Sequence, residues 1–352
     1  MLENSSKGFV VVTGGSGFIA SHIILQLLQQ GYQVRTTVRS LKKIETIQEN
    51  MKNGGIKDLT NLTFIEADLG TDDHWNEAIR GADYVIHVAS PTPTLNFKNE
   101  DEMIRPAIDG VLRVLRASRD AGVKRVVMTS AYGAIFAGHK NRKTPYTEED
   151  WSDLSVKNVH PYQKSKTLSE KAAWEFIEKE GNGLEFATVN PVGVMGPVLS
   201  ADYSHSNIQV HDLLTGKTKA VPNVDSGYVD VRDVASLHLL AMTEPQAAGE
   251  RFLATTGETY SMLEVANILR EAFPAFAKKL PTKVIPDFVV KAAAVADPML
   301  RMVALLVGEY AETSNEKAVT MLNWQPRSAK ESIIATAQSM IDLGIVSEPD
   351  KK

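Results

Sequence analysis

Val10-Val11-Val12-Thr13-Gly14-Gly15-Ser16-Gly17-Phe18-Ile19-Ala20 decides how the chain is read. An apolar run ends in a tight Gly-rich turn, and the turn opens a helix. Phe18, Ile19, Ile23, Ile24, Leu27 and Leu28 then repeat with the 3.6-residue period of a helix that buries one face. Gly14 and Gly17 can bend sharply and leave room for a ligand close to the backbone. Ala20 is small enough for the helix to lie close on the strand. A helix N-terminus offers unpaired N–H groups and partial positive charge, which suit a pyrophosphate. Strand, turn and helix together are the context that a dinucleotide fingerprint requires.

Outward from this stretch the same rhythm repeats. A helix is expected over 17–30, then strands over 33–39, 62–66 and 83–88. A long helix over 100–121 follows, then a strand over 125–129, a helix over 161–180 and a strand over 185–190. Apolar strands alternating with helices imply a parallel sheet covered on both faces, an α/β Rossmann-type doubly wound fold. After Pro191 the alternation stops. A dinucleotide-binding domain is expected over 1–190, with 228–254 returning to it. A smaller, mostly helical substrate lobe is expected over 191–227 and 255–352, ending in a frayed tail from Ile345.

The 352 residues are 43% hydrophobic and 23% charged, enough for a sizeable core in a soluble chain. A net charge of −5 argues against nucleic acid as a partner. The absence of cysteine excludes disulfides and thiolate chemistry and fits a cytoplasmic location. The polar start, Met1 to Ser6, does not read as a signal peptide. Lys291, Asp297, Pro298 and Arg301 interrupt the most apolar stretch, Phe288 to Val307, so it reads as buried amphipathic helices rather than a membrane span. None of the eight histidines has a ligand spacing, so no metal is expected, and His160 reads as loop surface. Trp151 and Trp174 read as packing residues.

At the end of the second strand an acid would mark NAD, whereas Arg39 stands there with Lys43 four residues on. Two cations suit the 2′-phosphate of NADP. Asp68, after the third strand, is placed for the adenine amino group or for a helix cap. Val88-Ala89-Ser90 ends the fourth strand with residues that let a cofactor pass. Tyr162 and Lys166 are four apart on a helix and project from one face. A nearby ammonium and an oxidised nicotinamide would favour phenolate; a shift of about three units takes roughly 4 kcal/mol. Ser130, at the end of the fifth strand, can donate a hydrogen bond to a substrate oxygen.

Thr13-Gly14-x-x-Gly17-x-x-Ala20, Ser130, Tyr162-x-x-x-Lys166 and Tyr228-Val229-Asp230-Val231-Arg232-Asp233-Val234-Ala235 resemble the extended short-chain dehydrogenase/reductases, over about Phe9 to Leu343. Arg35-Thr36-Thr37-Val38-Arg39, His87-Val88-Ala89-Ser90-Pro91 and Asn190-Pro191-Val192-Gly193-Val194-Met195-Gly196-Pro197 resemble the dihydroflavonol-reductase branch, and within it the NADPH-dependent aldehyde, ketone and methylglyoxal reductases. The resemblance implies Ser130, Tyr162 and Lys166 as the catalytic set, with Lys166 on the nicotinamide ribose. It implies Pro191 and Val192 against the carboxamide, and Ser206, with Ser204 as its rival, on a phosphate. The expected cofactor contacts, taken together, are Thr13, Gly14, Ser16, Gly17, Phe18, Ile19, Arg39, Lys43, Asp68, Leu69, Val88, Ala89, Ser90, Thr129, Tyr162, Lys166, Pro191, Val192 and Ser206.

Two departures narrow the chemistry. Ala131-Tyr132 follows Ser130 where sugar-nucleotide 4,6-dehydratases carry an acidic pair. Between Pro191 and Tyr228 the only cations are Lys217 and Lys219, too few to grip a sugar nucleotide's diphosphate. The expected activity is therefore NADPH-dependent reduction of a small uncharged aldehyde or ketone to its alcohol, by a monomer or homodimer. Hydride goes to the carbonyl carbon and Tyr162 protonates the oxygen. Phe97, Tyr132, Phe136 and Met195 are the expected pocket lining. The alternatives are a sugar-nucleotide epimerase and a non-catalytic NADP(H)-sensing binding protein; intact Ser130, Tyr162 and Lys166 speak against the sensor.

Overall fold

The computed structural model describes residues 7–91, 99–139, 142–157, 159–295, 300, 303–304, 306–308 and 312–348. Its central sheet holds β1 (Phe9–Thr13), β2 (Gln33–Val38), β3 (Leu62–Glu66), β4 (Tyr84–His87), β5 (Arg125–Thr129), β6 (Glu185–Pro191) and β10 (Arg251–Ala254). The spatial order is β10-β6-β5-β4-β1-β2-β3, and every pairing is parallel. Strand order reverses at β1, which lies between β4 and β2. That reversal opens a crevice beyond the carboxyl ends of the strands, where ligands bind in such sheets.

Alternation along β1 shows why both faces are covered. Val10 and Val12 join one apolar cluster, with Ile23 and Leu27 of α1 (Phe18–Gln29), Ile47 and Met51 of α2 (Ile44–Asn53), and Val234 and Leu237 of α7 (Val231–Thr243). Val11 faces the other cluster, with Trp75 and Ile79 of α3 (Trp75–Ile79), Val114 and Leu115 of α4 (Asp101–Asp120), and Ala173 and Phe176 of α5 (Pro161–Glu180). A strand buried on both faces reads as a continuous apolar run, as β1 does.

Beyond β6 the chain builds smaller units. β7 (Gly193–Met195) pairs in parallel with β9 (Asp225–Asp230), which pairs antiparallel with β11 (Thr259–Ser261). Two-residue strands β8 (Val221–Pro222) and β12 (Val284–Ile285) pair with each other. The helices here are α6 (His205–Leu214), α8 (Met262–Ala272), α9 (Asp287–Ala293), α10 (Glu316–Leu322) and α11 (Ala329–Asp342). α11 pins the segment after β7. Thr336 Oγ1 accepts from the Gly196 N–H at 2.7 Å, and Ser339 Oγ accepts from the Val198 N–H at 2.8 Å.

Two expectations are corrected here. Ile345 and Val346 both donate their N–H groups to the Met340 carbonyl, and Val346 is buried, so the chain stays packed through Val346; Ser347 and Glu348 are exposed, and the rest of the expected tail lies outside the described residues. Phe288 on α9 is 74% exposed and Val295 78%, so this part of the apolar stretch is not a buried helix. No helix among the described residues is long and apolar enough to cross a membrane. α2 and α3 were not anticipated: α2 buries only Ile47, Asn50 and Met51, and α3 is five residues long.

The glycine turn is set by close packing. Gly14 has φ +73°, and a Cβ there would lie 3.0 Å from Ala89 Cβ. A Cβ on Gly15 would lie 2.1 Å from Thr36 Oγ1, which itself donates to the Val12 carbonyl at 2.8 Å. Forcing volume into a packed site costs about 1–3 kcal/mol. Gly15→Ala is therefore expected to lower stability by about that amount, read from chemical denaturation. An unchanged midpoint would show that the turn has slack.

Candidate active site

Thr13, at the end of β1, is the first tie in the crevice. Its Oγ1 accepts the N–H groups of Val88 at 3.1 Å and Ala89 at 3.0 Å. Its single proton is then left for His87 Nδ1, 2.9 Å away, which puts the His87 proton on Nε2. The ends of β1 and β4 are thus fixed side by side. Gly14 donates its N–H to Thr37 Oγ1 at 3.1 Å, and Gly15 donates to the Thr37 carbonyl, which ties the turn to β2.

Gly17 is the N-cap of α1, and no side chain among the described residues caps that helix; its first turn carries no acid. Its leading N–H groups beside Ser16, Phe18 and Ile19 therefore remain open to an anion. Arg39 is exposed just past β2 and has no ion pair or hydrogen bond among the described residues. Lys43 is differently placed: its Nζ pairs at 3.0 Å with Asp202, from the segment that α11 holds. Asp68 Oδ1 accepts from the Gly70 N–H at 2.7 Å and so closes a turn. It caps no helix, because α3 starts after His74. Leu69 packs under Gly110 of α4. The uncapped helix end, the close-packed glycines and the unpaired Arg39 fit a dinucleotide with an extra phosphate.

Across the crevice, α5 carries the second half of the site. His160 is its N-cap, accepting the Tyr162 N–H at 3.2 Å, while its own N–H donates to Gln163 Oε1 at 3.1 Å. That reciprocal cap corrects the expectation of a surface histidine. Pro161 at the first helical position suits a helix start. Tyr162 is half-buried, and Lys166 Nζ lies 6.0 Å from its ring centroid. The turn after Ser130 packs on the same ring: a Cβ on Gly133 would lie 3.8 Å from Tyr162 Cε1. Ser130 is buried and donates its hydroxyl proton to Glu170, one helical turn beyond Lys166.

Burial governs the titration of these groups. It pushes the Tyr162 phenol above its ordinary value, opposite to the expected drift towards phenolate. It pulls Lys166 down to about 8, against the partial support of the Glu170 carboxylate. It holds His87 neutral, with a pKa of about 3, helped by the nearby Lys166 charge.

Other expected contacts are distributed as follows. Thr129 points its hydroxyl at His238 Nε2 on α7, 2.7 Å away, so that side chain is committed behind the sheet. Pro191 ends β6 and Val192 follows it, donating its N–H to the Ala254 carbonyl at 3.2 Å. Ser206 is half-buried on α6, while the Oγ of its rival Ser204 is buried with no partner among the described residues. Tyr132 and Phe136 stack with centroids 4.5 Å apart, and the Tyr132 hydroxyl is buried with no partner among the described residues. Met195 is fully buried: β7 pairs with β9 and places it in the core, which corrects its assignment to an open pocket. Phe97 lies outside the described residues. Trp174 packs edge-on against Phe186 at 4.6 Å, and Arg251 lies 3.7 Å over the Trp151 ring. Among the described residues no cluster could hold a metal ion.

Sequence reasoning missed His87, Glu170 and Arg251. Glu170 had a signal, since it continues the four-residue spacing of Tyr162 and Lys166 along one helix face.

The fold and this arrangement define a dinucleotide-binding α/β protein of the reductase–epimerase type. The chain belongs to the NAD dependent epimerase/dehydratase family, which it matches over residues 10–256. It is 36% identical to cinnamoyl-CoA reductase 1 of Petunia hybrida over 291 residues, 80% of this chain and 82% of that one. It is 32% identical to a putative NADPH-dependent methylglyoxal reductase, GRP2, of Candida albicans over 296 residues, 79% of this chain and 86% of the other. The yeast methylglyoxal/isovaleraldehyde reductase Gre2, solved in complex with NADPH, superposes with a TM-score of 0.79 at 28% identity. That superposition covers 96% of this chain and 100% of Gre2.

Three buried histidines make stability acid-sensitive. His87 is held near 3, and His22 and His238 near 4, each chiefly by burial. Their folded values lie below the unfolded 6.5, so the unfolded chain binds more protons on acidification. Stability is expected to be fully present above pH 6.5 and to fall steadily between pH 6.5 and about 4. Denaturation midpoints across that range check it, and a midpoint flat down to pH 4 would contradict it.

Proposed function

We propose that this protein is an NADPH-dependent carbonyl reductase that converts small, uncharged aldehydes or ketones to alcohols. The observation that carries the reading is that Lys166 Nζ lies 6.0 Å from the Tyr162 ring, on which the turn after Ser130 also packs, in a fold whose first helix opens on a glycine turn. Its relatives' names, methylglyoxal reductase and cinnamoyl-CoA reductase among them, support a reductase, and the first of the two supports a small carbonyl substrate. NADPH, when bound, supplies the hydride. Arg39 would meet its 2′-phosphate, the first turn of α1 its pyrophosphate, and Lys166 its nicotinamide ribose.

The remaining steps belong to the protein's own side chains. Tyr162, its phenol kept protonated by burial, donates a proton to the substrate oxygen. Ser130 contacts that same oxygen and fixes its place. Lys166, an ammonium below about pH 8, draws negative charge to the site as it develops. Stacked Tyr132 and Phe136 favour apolar substituents on the substrate. Lys217, one of the two cations between Pro191 and Tyr228, is tied to Asp212 at 3.0 Å, which weighs against a sugar nucleotide's diphosphate there. The resting protein is expected to be a monomer or homodimer acting in the cytoplasm.

Tyr162→Phe removes the proton donor and keeps the ring. Its kcat for an apolar aldehyde should fall by about a hundredfold or more, with NADPH affinity near wild type. Retention of most of the kcat would assign the proton to another group. Arg39→Ala should raise the KM for NADPH about ten- to hundredfold and leave the KM for NADH nearly unchanged. Equal losses with both cofactors would remove Arg39 from the 2′-phosphate site.

A further inference from the structure

Glu170 is heavily engaged beside the site, and all of the hydrogen bonds its carboxylate makes among the described residues are to protein groups. It is fully buried on α5. Its Oε1 accepts from Arg251 Nε at 2.6 Å and Trp174 Nε1 at 3.4 Å, and lies 3.2 Å from Thr188 Oγ1, whose one proton is shared between it and Asn190 Oδ1. Its Oε2 accepts from Asn190 Nδ2 at 2.8 Å and from Ser130 Oγ. Asn190 is oriented without ambiguity, since its Oδ1 faces the Thr188 hydroxyl and its Nδ2 also faces the Ala131 carbonyl. Arg251 is itself fixed over Trp151 and by the backbone carbonyls of Glu148 and Asp150. A carboxylate paired with an arginine can only accept hydrogen bonds.

Ser130 has one proton, and that proton is given to Glu170. Its lone pairs are what remain for the crevice. A carbonyl oxygen, which also has only lone pairs, finds no partner there until the hydroxyl turns. Glu170 can release the proton at low cost, because Arg251 and Asn190 stay on its oxygens.

We propose that Glu170 is a positioning residue that sets the hydrogen-bond polarity of Ser130: acceptor towards the crevice at rest, donor only when the hydroxyl turns to the reacting oxygen. This deepens the carbonyl-reductase reading and rests on it. The resting arrangement matches an alcohol, whose O–H can donate to Ser130, better than it matches an aldehyde.

Glu170→Gln inverts the arrangement at nearly constant shape. Glutamine has one acceptor oxygen, which Arg251 holds, so its amide N–H₂ faces Ser130 and frees the Ser130 proton for the crevice, while Asn190 turns its amide to offer Oδ1 to the new N–H₂ and Nδ2 to the Thr188 hydroxyl. The variant should bind the aldehyde more tightly and its alcohol product more weakly. The ratio of the alcohol's product-inhibition constant to the aldehyde's KM should rise about fivefold or more, the size of one neutral hydrogen bond. NADPH affinity, read by fluorescence titration, should stay within about twofold. In a Ser130→Ala background the same substitution should leave the ratio unchanged.

If Glu170→Gln alone fails to fold, Glu170→Gln with Asn190→Asp replaces the Asn190 N–H₂ that would meet the new amide N–H₂ by an acceptor, keeps one carboxylate in the cluster and still turns the amide to Ser130. The same rise in the ratio is expected from it. A ratio unchanged or lowered in an active, folded variant overturns the proposal, as does an equal rise without Ser130. A wild-type protein that binds NADPH and reduces no carbonyl compound overturns the functional reading instead.

Discussion

The structure depends on how closely the glycine turn approaches the two strands beside it. Gly14 leaves no room for a Cβ against Ala89, and Gly15 leaves none against Thr36. Thr13 adds a three-way tie, giving its proton to His87 and taking two N–H groups from the chain after β4. These contacts hold the ends of β1, β2 and β4 together where strand order reverses. The open N–H groups of α1 face the crevice only because that spacing is fixed. The same three strands bring Arg39, His87 and the Val88-Ala89-Ser90 segment to the rim.

α5 is the other half of the device. A proline start and a His160–Gln163 cap fix where the helix begins, and that fixes which way Tyr162, Lys166 and Glu170 project. Glu170 then reaches across β6 to Arg251 on β10, the edge strand beside it. Breaking a buried ion pair on one side typically costs about 3–5 kcal/mol, since it strands the other charge. One carboxylate thus couples the last strand of the sheet to the hydroxyl of Ser130. The Lys166 ammonium feels it as well, gaining back part of what burial takes away.

Much of this was legible in the chain. The continuous apolar run of β1 announced a strand covered on both faces, and the spacing of Tyr162 and Lys166 announced a shared helix face. What escaped was whatever depends on contacts between distant segments. The Lys43–Asp202 pair joins residues far apart in sequence, so Lys43 looked free. Met195 stood beside residues expected to line the site, but pairing of β7 with β9 turned it into the core. His160 looked like loop surface because a histidine is an unusual helix cap. The direction of the Tyr162 shift could not be read from a neighbouring lysine, because burial, a property of the assembled crevice, outweighs it.

The central claim is hydride delivery to a carbonyl carbon, and isotope transfer tests it most directly. The protein would be incubated with an apolar aldehyde and NADPH carrying deuterium at its transferable position, and the alcohol analysed by mass spectrometry. The account predicts one deuterium per alcohol molecule, bound to the carbinol carbon. NADPH bound but unconsumed across a panel of aldehydes and ketones, or turnover of a sugar nucleotide with no net loss of NADPH, would contradict it.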